Sequence, residues 1–154
     1  VLHTATIRRP FANVLNQHIH SCNQLTSILA KLEANSAGAA DALLLDTEGN
    51  LAETNATHVF LVKDGVVETS TTKACPEGIT RMTILSLCRE HAIPSVVRDI
   101  SEAEVHQADE VFCTGTMGEI AAVTRIDKTV FGEGFPGPVT TRLSDLYEHV
   151  TAQG

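Results

Sequence analysis

Positive charge is scarce in this chain: 11 Lys and Arg stand against 19 Asp and Glu, giving a net charge of −8. The few cations are scattered, so no basic patch can neutralise a run of phosphates, and nucleic acid is excluded as a partner. Long apolar runs are also missing. The longest extend over a few residues, far short of the roughly 20 that cross a bilayer, and no basic, apolar, small-residue leader opens the chain. No membrane partner is expected. Cys22, Cys75, Cys88 and Cys113 form no CxxC pair. Such dispersed thiols fit a reduced, cytoplasmic protein better than a disulfide framework or a structural zinc site. No methionine precedes Met82, which leaves open a removed initiator or tag, or a piece of a longer protein.

What is present suffices for one core: 154 residues, 43% of them hydrophobic, predict a single mixed α/β domain. "LHTATIR" alternates as a strand and ends before Pro10. Leu25, Ile28, Leu29 and Leu32 follow the i, i+3, i+4, i+7 rule of an amphipathic helix that stops near Gly38. "DALLLD", "LAET" and "HVFLVKDGVVET" read as strands, with Asp64-Gly65 as a hairpin turn. After Pro76, Ile84, Leu87, Cys88 and His91 mark a helix from Gly78 to His91. "SVVRDI" reads as a strand, Ser101 and Glu104 as a capping box, and "EVFCTGT" and "IAAVTRID" as strands. Val139, Leu143, Leu146, Tyr147 and Val150 share one face of a last helix. Arg8 and Arg9 are expected to be solvated, and His3, His91, His106 and His149 to be ordinary surface residues.

Three segments carry the candidate chemistry. "EGNLAETNATHVFLVKDG" holds Glu53 in a strand-turn-strand ladder. "PEGITR" feeds a helix N-terminus, where the amides of Gly78, Ile79 and Thr80 suit an anion. "DEVFCTGTMGEI" ends a strand in Gly115 and Thr116, which could bring more N–H groups and a hydroxyl to the same place.

In order, spacing and wording these blocks resemble the class IV, or fold-type IV, pyridoxal-phosphate-dependent aminotransferases. That family includes branched-chain and D-amino-acid aminotransferases and aminodeoxychorismate lyase. There, a Glu follows an "LLLD..G" hairpin, then come an "N-[IV]-F-[LIV]-V" strand, "GITR" and "DEVF-x-x-GT-x-x-E-I-x-P-V". This chain reads "LLLDTEGNLAE", "HVFLV", "GITR" and "DEVFCTGTMGEIAAV", and its "GPVTTRLSDLY" fits the family's last helix. The resemblance runs from about Arg8 to the C-terminus. It implies the larger C-terminal domain of these enzymes, a barrel-like mixed sheet with flanking helices. It further implies that Glu53 pairs with the pyridine nitrogen, that Ile79 and Thr80 hold the phosphate through their amides, and that Gly115 and Thr116 form the second phosphate loop.

Departures from the family pattern concentrate on "NQHIHSCNQL". In wording like "IKSLN-x-L" the family carries its catalytic lysine where this chain has His20. Imidazole has no primary amine to condense with the cofactor aldehyde. Lys31 lies where the family also has lysine, and nothing in the sequence directs Lys73 at the aldehyde. Gln24 replaces a common aromatic, and His58 the strand's Asn. The family's N-terminal α/β domain, which supplies a further phosphate-binding arginine, is absent from residues 1–154. The expectation is therefore a truncated relative that is inactive as a transaminase, binds pyridoxal phosphate weakly and non-covalently through a small phosphate-like anion site, and self-associates as a homodimer over its uncovered apolar surface. Alternatives are a scaffold or interaction domain, an enzyme using His20 as general base near neutral pH, and a metal module in which His18 and His20 share one face of a strand.

Overall fold

The computed structural model describes residues 1–11, 24–116 and 119–152. His18, His20 and Cys22 lie outside them. Two five-stranded sheets face each other. The first orders β10 (Thr129–Val130), β9 (Arg125–Ile126), β1 (Leu2–Thr4), β2 (Asp41–Leu45) and β3 (Leu51–Thr54). The second orders β6 (Ser95–Val97), β5 (Val66–Thr69), β4 (His58–Lys63), β7 (Glu110–Gly115) and β8 (Glu119–Ala122). Both are mixed: β1 runs parallel to β2 and β9, and β5 parallel to β6, while the other pairs are antiparallel.

Among the described residues four helices complete the architecture: α1 (Leu25–Ser36), α2 (Ile79–Glu90), α3 (Glu102–Val105) and α4 (Pro138–Thr151). The core forms three layers. Leu43 and Leu51 of the first sheet meet Val59, Leu61, Val111 and Cys113 of the second. On that sheet's far side Phe60, Val62 and Phe112 pack against Ile84, Leu87 and Leu143 of α2 and α4. Ala30 and Ala34 of α1 cover Ala42 and Leu44 on the outside of the first sheet. The order is helix, sheet, sheet, helices. This is the mixed α/β fold the sequence implies, with two apposed sheets where a barrel-like sheet is expected.

Alternation explains the near-continuous apolar strands. In β4, Val59 and Leu61 face the other sheet while Phe60 and Val62 face the helices, so both faces are buried. Phe60 and Phe112 stack with ring centroids 5.0 Å apart. The β4–β5 turn has positive φ at both Asp64 and Gly65, as a two-residue hairpin of this hand requires. Ser101 and Glu104 form the expected capping box.

Elsewhere the structure corrects the sequence reading. "LHTATIR" is a strand only over Leu2–Thr4, and "IAAVTRID" divides into β8 and β9, which belong to different sheets. The α1 stripe faces outward: Leu25, Ile28, Leu29 and Leu32 are 59, 54, 44 and 56% exposed, while Ser27, Ala30 and Ala34 are buried. Small residues allow the close approach of α1 to the sheet, and the large ones are left outside.

The two acids of "DEVF" hold structure together. Asp109 accepts from the Asp64 amide at 2.8 Å and from Lys63 Nζ at 3.0 Å, tying down the β4–β5 turn. Glu110 accepts from the Val139 amide at 3.1 Å and from the Thr140 amide and hydroxyl at 2.8 and 2.6 Å, and so caps α4. A Cβ on Gly137 would overlap that carboxyl, only 2.5 Å from Oε1. Glycine at this position leaves room for the cap.

Candidate functional site

The tight turn between β3 and β4 connects the two sheets and organises the site. Thr54 Oγ1 accepts from the Thr57 amide at 2.8 Å and the Ala56 amide at 3.1 Å, and the Thr54 amide donates to the Thr57 carbonyl at 2.7 Å. Asn55 Oδ1 accepts from the Ala42 amide at 2.8 Å, pinning the turn to β2. The two side chains that leave the turn, Thr57 and His58, each support one of the candidate anion loops. The Thr57 methyl lies under Gly115, 2.9 Å from where a Cβ would stand. The His58 ring lies under Gly78, with Nδ1 2.7 Å from the corresponding position. His58 Nε2–H donates to the Pro76 carbonyl at 2.7 Å. Burial holds the imidazole below its ordinary pKa, and the nearby Arg81 charge adds to the effect.

Gly78 has φ +70° and serves as N-cap of α2. No side chain caps that helix and no acid stands in its first turn, whereas Ser101 and Glu104 close a capping box on α3 and the Glu110 carboxylate caps α4. Its first-turn amides and dipole are therefore open to an external anion. The side chain of Ile79 is exposed and that of Thr80 buried. Thr116 is exposed at the end of β7.

Glu53 heads the same turn and is buried at 5% exposure. It pairs with Arg9 (Nη2 to Oε1, 2.8 Å), whose Nη2 also donates to Ser27 Oγ at 2.8 Å. Arg9 is thus buried and ion-paired, contrary to the expectation that its charge is solvated; the carboxylate and hydroxyl offset the cost of its burial. Burial pushes the Glu53 carboxyl up to about 7 against the pull of the guanidinium. The Cys75 thiol lies within electrostatic reach of Glu53, Arg81 and Arg9, and is pushed up to about 12, chiefly by burial and then by the Glu53 charge.

The structure thus places Glu53 on the strand that enters one short turn, with Gly78 and Gly115 packed on the two side chains that leave it. Sequence reasoning missed Arg9, Arg81, Thr57 and Thr114 as site residues, and read His58 only as a departure from the family's strand Asn. Of these, Arg81 alone had a signal, as the last letter of "GITR". His3 also does more than expected, its Nδ1 lying 2.9 Å from Asp127 and its Nε2 3.6 Å from Glu33. Among the described residues no cluster of three or more His, Cys, Asp or Glu could hold a metal ion. None of their helices is long and apolar enough to cross a membrane.

A buried acid beside two glycine-backed loops, one of them opening an uncapped helix, defines the class of protein. The family profile of amino-transferase class IV matches residues 2–126, and the chain belongs to that family. Among its relatives is branched-chain-amino-acid aminotransferase-like protein 1 of Arabidopsis thaliana, 47% identical over 151 residues, which are 98% of this chain and 27% of that protein. The branched-chain-amino-acid aminotransferase of Pseudomonas aeruginosa is 44% identical over 80% of this chain and 40% of its own length. The crystal structure of the branched-chain amino acid aminotransferase from Thermobaculum terrenum, solved in its PLP form, superposes with a TM-score of 0.92 at 35% identity. The match covers 97% of this chain and 50% of that one. The chain therefore spans between about a quarter and a half of the length of these relatives.

Proposed function

We propose that this segment forms a non-covalent seat for pyridoxal phosphate or a related phosphate monoester and does not supply the amine that transamination needs. The observation that carries this reading is the convergence of Glu53, Gly78 and Gly115 on the β3–β4 turn. The first-turn amides of Ile79 and Thr80, with Gly115 and Thr116 on the second loop, would hold the phosphate. Glu53 would face the ring nitrogen. The cofactor, when bound, supplies an electron sink.

The lysines support the negative half of the proposal. The chain has four. Lys31 is held by Asp41 at 2.7 Å, Lys63 by Asp109 at 3.0 Å and Lys73 by Asp99 at 2.5 Å. Lys128 is exposed in the turn between β9 and β10. His20 stands where the family's lysine is expected and has no primary amine.

Pyridoxal phosphate added to the protein is expected to bind reversibly, with borohydride leaving no stoichiometric adduct and dialysis removing the cofactor. A lysine adduct trapped at one equivalent per chain would overturn the proposal.

The outward stripe of α1 favours a second property, self-association of this chain. Four large apolar side chains along one helix make a contiguous exposed patch of the kind that marks an interface. Light scattering is expected to report a dimer that Ile28→Asp with Leu32→Asp converts to monomer; a wild-type monomer at high concentration would exclude it. The free thiols of Cys75, Cys88 and Cys113 support a reducing, cytoplasmic setting.

A further inference from the structure

Arg81 follows Thr80 in the first turn of α2 and is 4% exposed. The other buried arginine, Arg9, has the Glu53 carboxylate at 2.8 Å. Among the described residues Arg81 has no such partner: its hydrogen bond goes from Nη2 to the neutral Ser70 carbonyl at 2.8 Å, and its Nε finds no acceptor. Nearby Glu77 is exposed, and its attraction does not offset the burial that depresses the guanidinium. Thr114 adds a second orphan. Its hydroxyl is fully buried without a partner among the described residues, on the residue that pairs across the sheet with His58. His58 is the ring beneath Gly78, the N-cap of α2. An unmatched cation and an unmatched hydroxyl therefore stand behind the first turn of α2, which no side chain caps and in which no acid stands, a state that α1 shares but without a buried cation of this kind behind it. Proteins rarely leave a buried charge uncompensated unless something else supplies the opposite sign.

We propose that Arg81 is the buried counter-charge of this seat, attracting a phosphate monoester dianion to the first-turn amides of α2 from behind. The proposal rests on the phosphate-seat reading above and adds a charged residue to its neutral amides. It has a consequence that simple anchoring of the Ser70 carbonyl does not share. The seat is electrostatically unsatisfied without an anion, so phosphate stabilises the fold in part through Arg81, and that share of the stabilisation is lost with the charge.

The test is thermal unfolding of wild type, Arg81→Met and Arg81→Lys during titration with inorganic phosphate, pyridoxal 5'-phosphate or pyridoxal. Wild type is expected to melt higher with either phosphate compound and to be unaffected by pyridoxal. A response to pyridoxal 5'-phosphate alone would mean that the ring contributes to binding, and the effect of Arg81→Met would then be read on that ligand. Arg81→Met is expected to bind the phosphate compounds about ten- to a hundredfold more weakly, the range of a charge-assisted hydrogen bond. Arg81→Lys, which keeps a point charge but loses the fork that reaches Ser70, is expected to be less stable yet to retain a phosphate-dependent rise in Tm. If wild type responds and Arg81→Met binds equally well, Arg81 is only an anchor and this inference falls while the seat stands. No response from wild type to either phosphate compound overturns both. Should Arg81→Met fail to fold, loss of the phosphate-dependent rise in Arg81→Lys overturns the inference.

Discussion

Gly78→Ala is expected to abolish phosphate binding and to destabilise the protein by about 2–4 kcal/mol, the range for overpacking combined with a strained left-handed residue. Two costs coincide at this residue. Its φ of +70° disfavours any L side chain, and the added methyl would enter the His58 ring, 2.7 Å from Nδ1. The ring cannot easily withdraw, because it is buried and its Nε2–H is held by the Pro76 carbonyl at 2.7 Å. The loop must therefore move, and with it the first-turn amides of α2. Gly49 provides the control: it has φ +84° but nothing within 4 Å of an added Cβ. Gly49→Ala should cost only the backbone strain, about 1 kcal/mol. In urea titrations the double variant His58→Ala, Gly78→Ala should be more stable than the sum of the single changes, since the collision is gone. Equal effects at Gly78 and Gly49 would refute the packing argument.

Stability is expected to fall by about 3 kcal/mol between pH 4.5 and 7 through Glu53 alone, the free-energy equivalent of its raised pKa. In the unfolded chain this carboxyl titrates near 4.5, whereas burial raises it to about 7 in the fold. Below pH 4.5 both states carry the proton and the fold suffers no penalty. As pH rises the unfolded chain releases its proton first, so stability drops through the window and levels above 7. His58 acts with the opposite sign: its lowered pKa takes stability away as pH falls. The wild-type curve therefore mixes the two, and the difference between wild type and Glu53→Gln isolates the acid. That difference, measured by urea denaturation across about pH 4.5–8, should carry the downward slope. Parallel curves would show that Glu53 is ionised in the fold throughout, dominated by its 2.8 Å contact with Arg9.

Much of the fold was legible because its signals are local. The Asp64-Gly65 turn, the Ser101–Glu104 capping box and the alternation of "HVFLV" each follow from a few neighbouring residues. The candidate seat was legible for the same reason, as two glycine-bearing loops and one acid. What escaped depends on distant partners. Nothing near Arg9 in the chain announces that Glu53 will meet it in the interior. The period of α1 predicts a helix but not which face packs, and here alanines win because they permit a closer approach. The division of "IAAVTRID" between two sheets reflects where β1 and β7 stand, which no local pattern encodes. The role of His58 is set by Gly78 and Pro76, across a loop and a sheet.

Asp109 and Glu110 have a consequence for descent. Both belong to a string that looks like part of an active site, yet one fastens a hairpin and the other caps a helix. A lineage of this fold would remain bound to these two letters by folding alone, whatever its chemistry. A shared string of this kind therefore attests to common shape before it attests to common work.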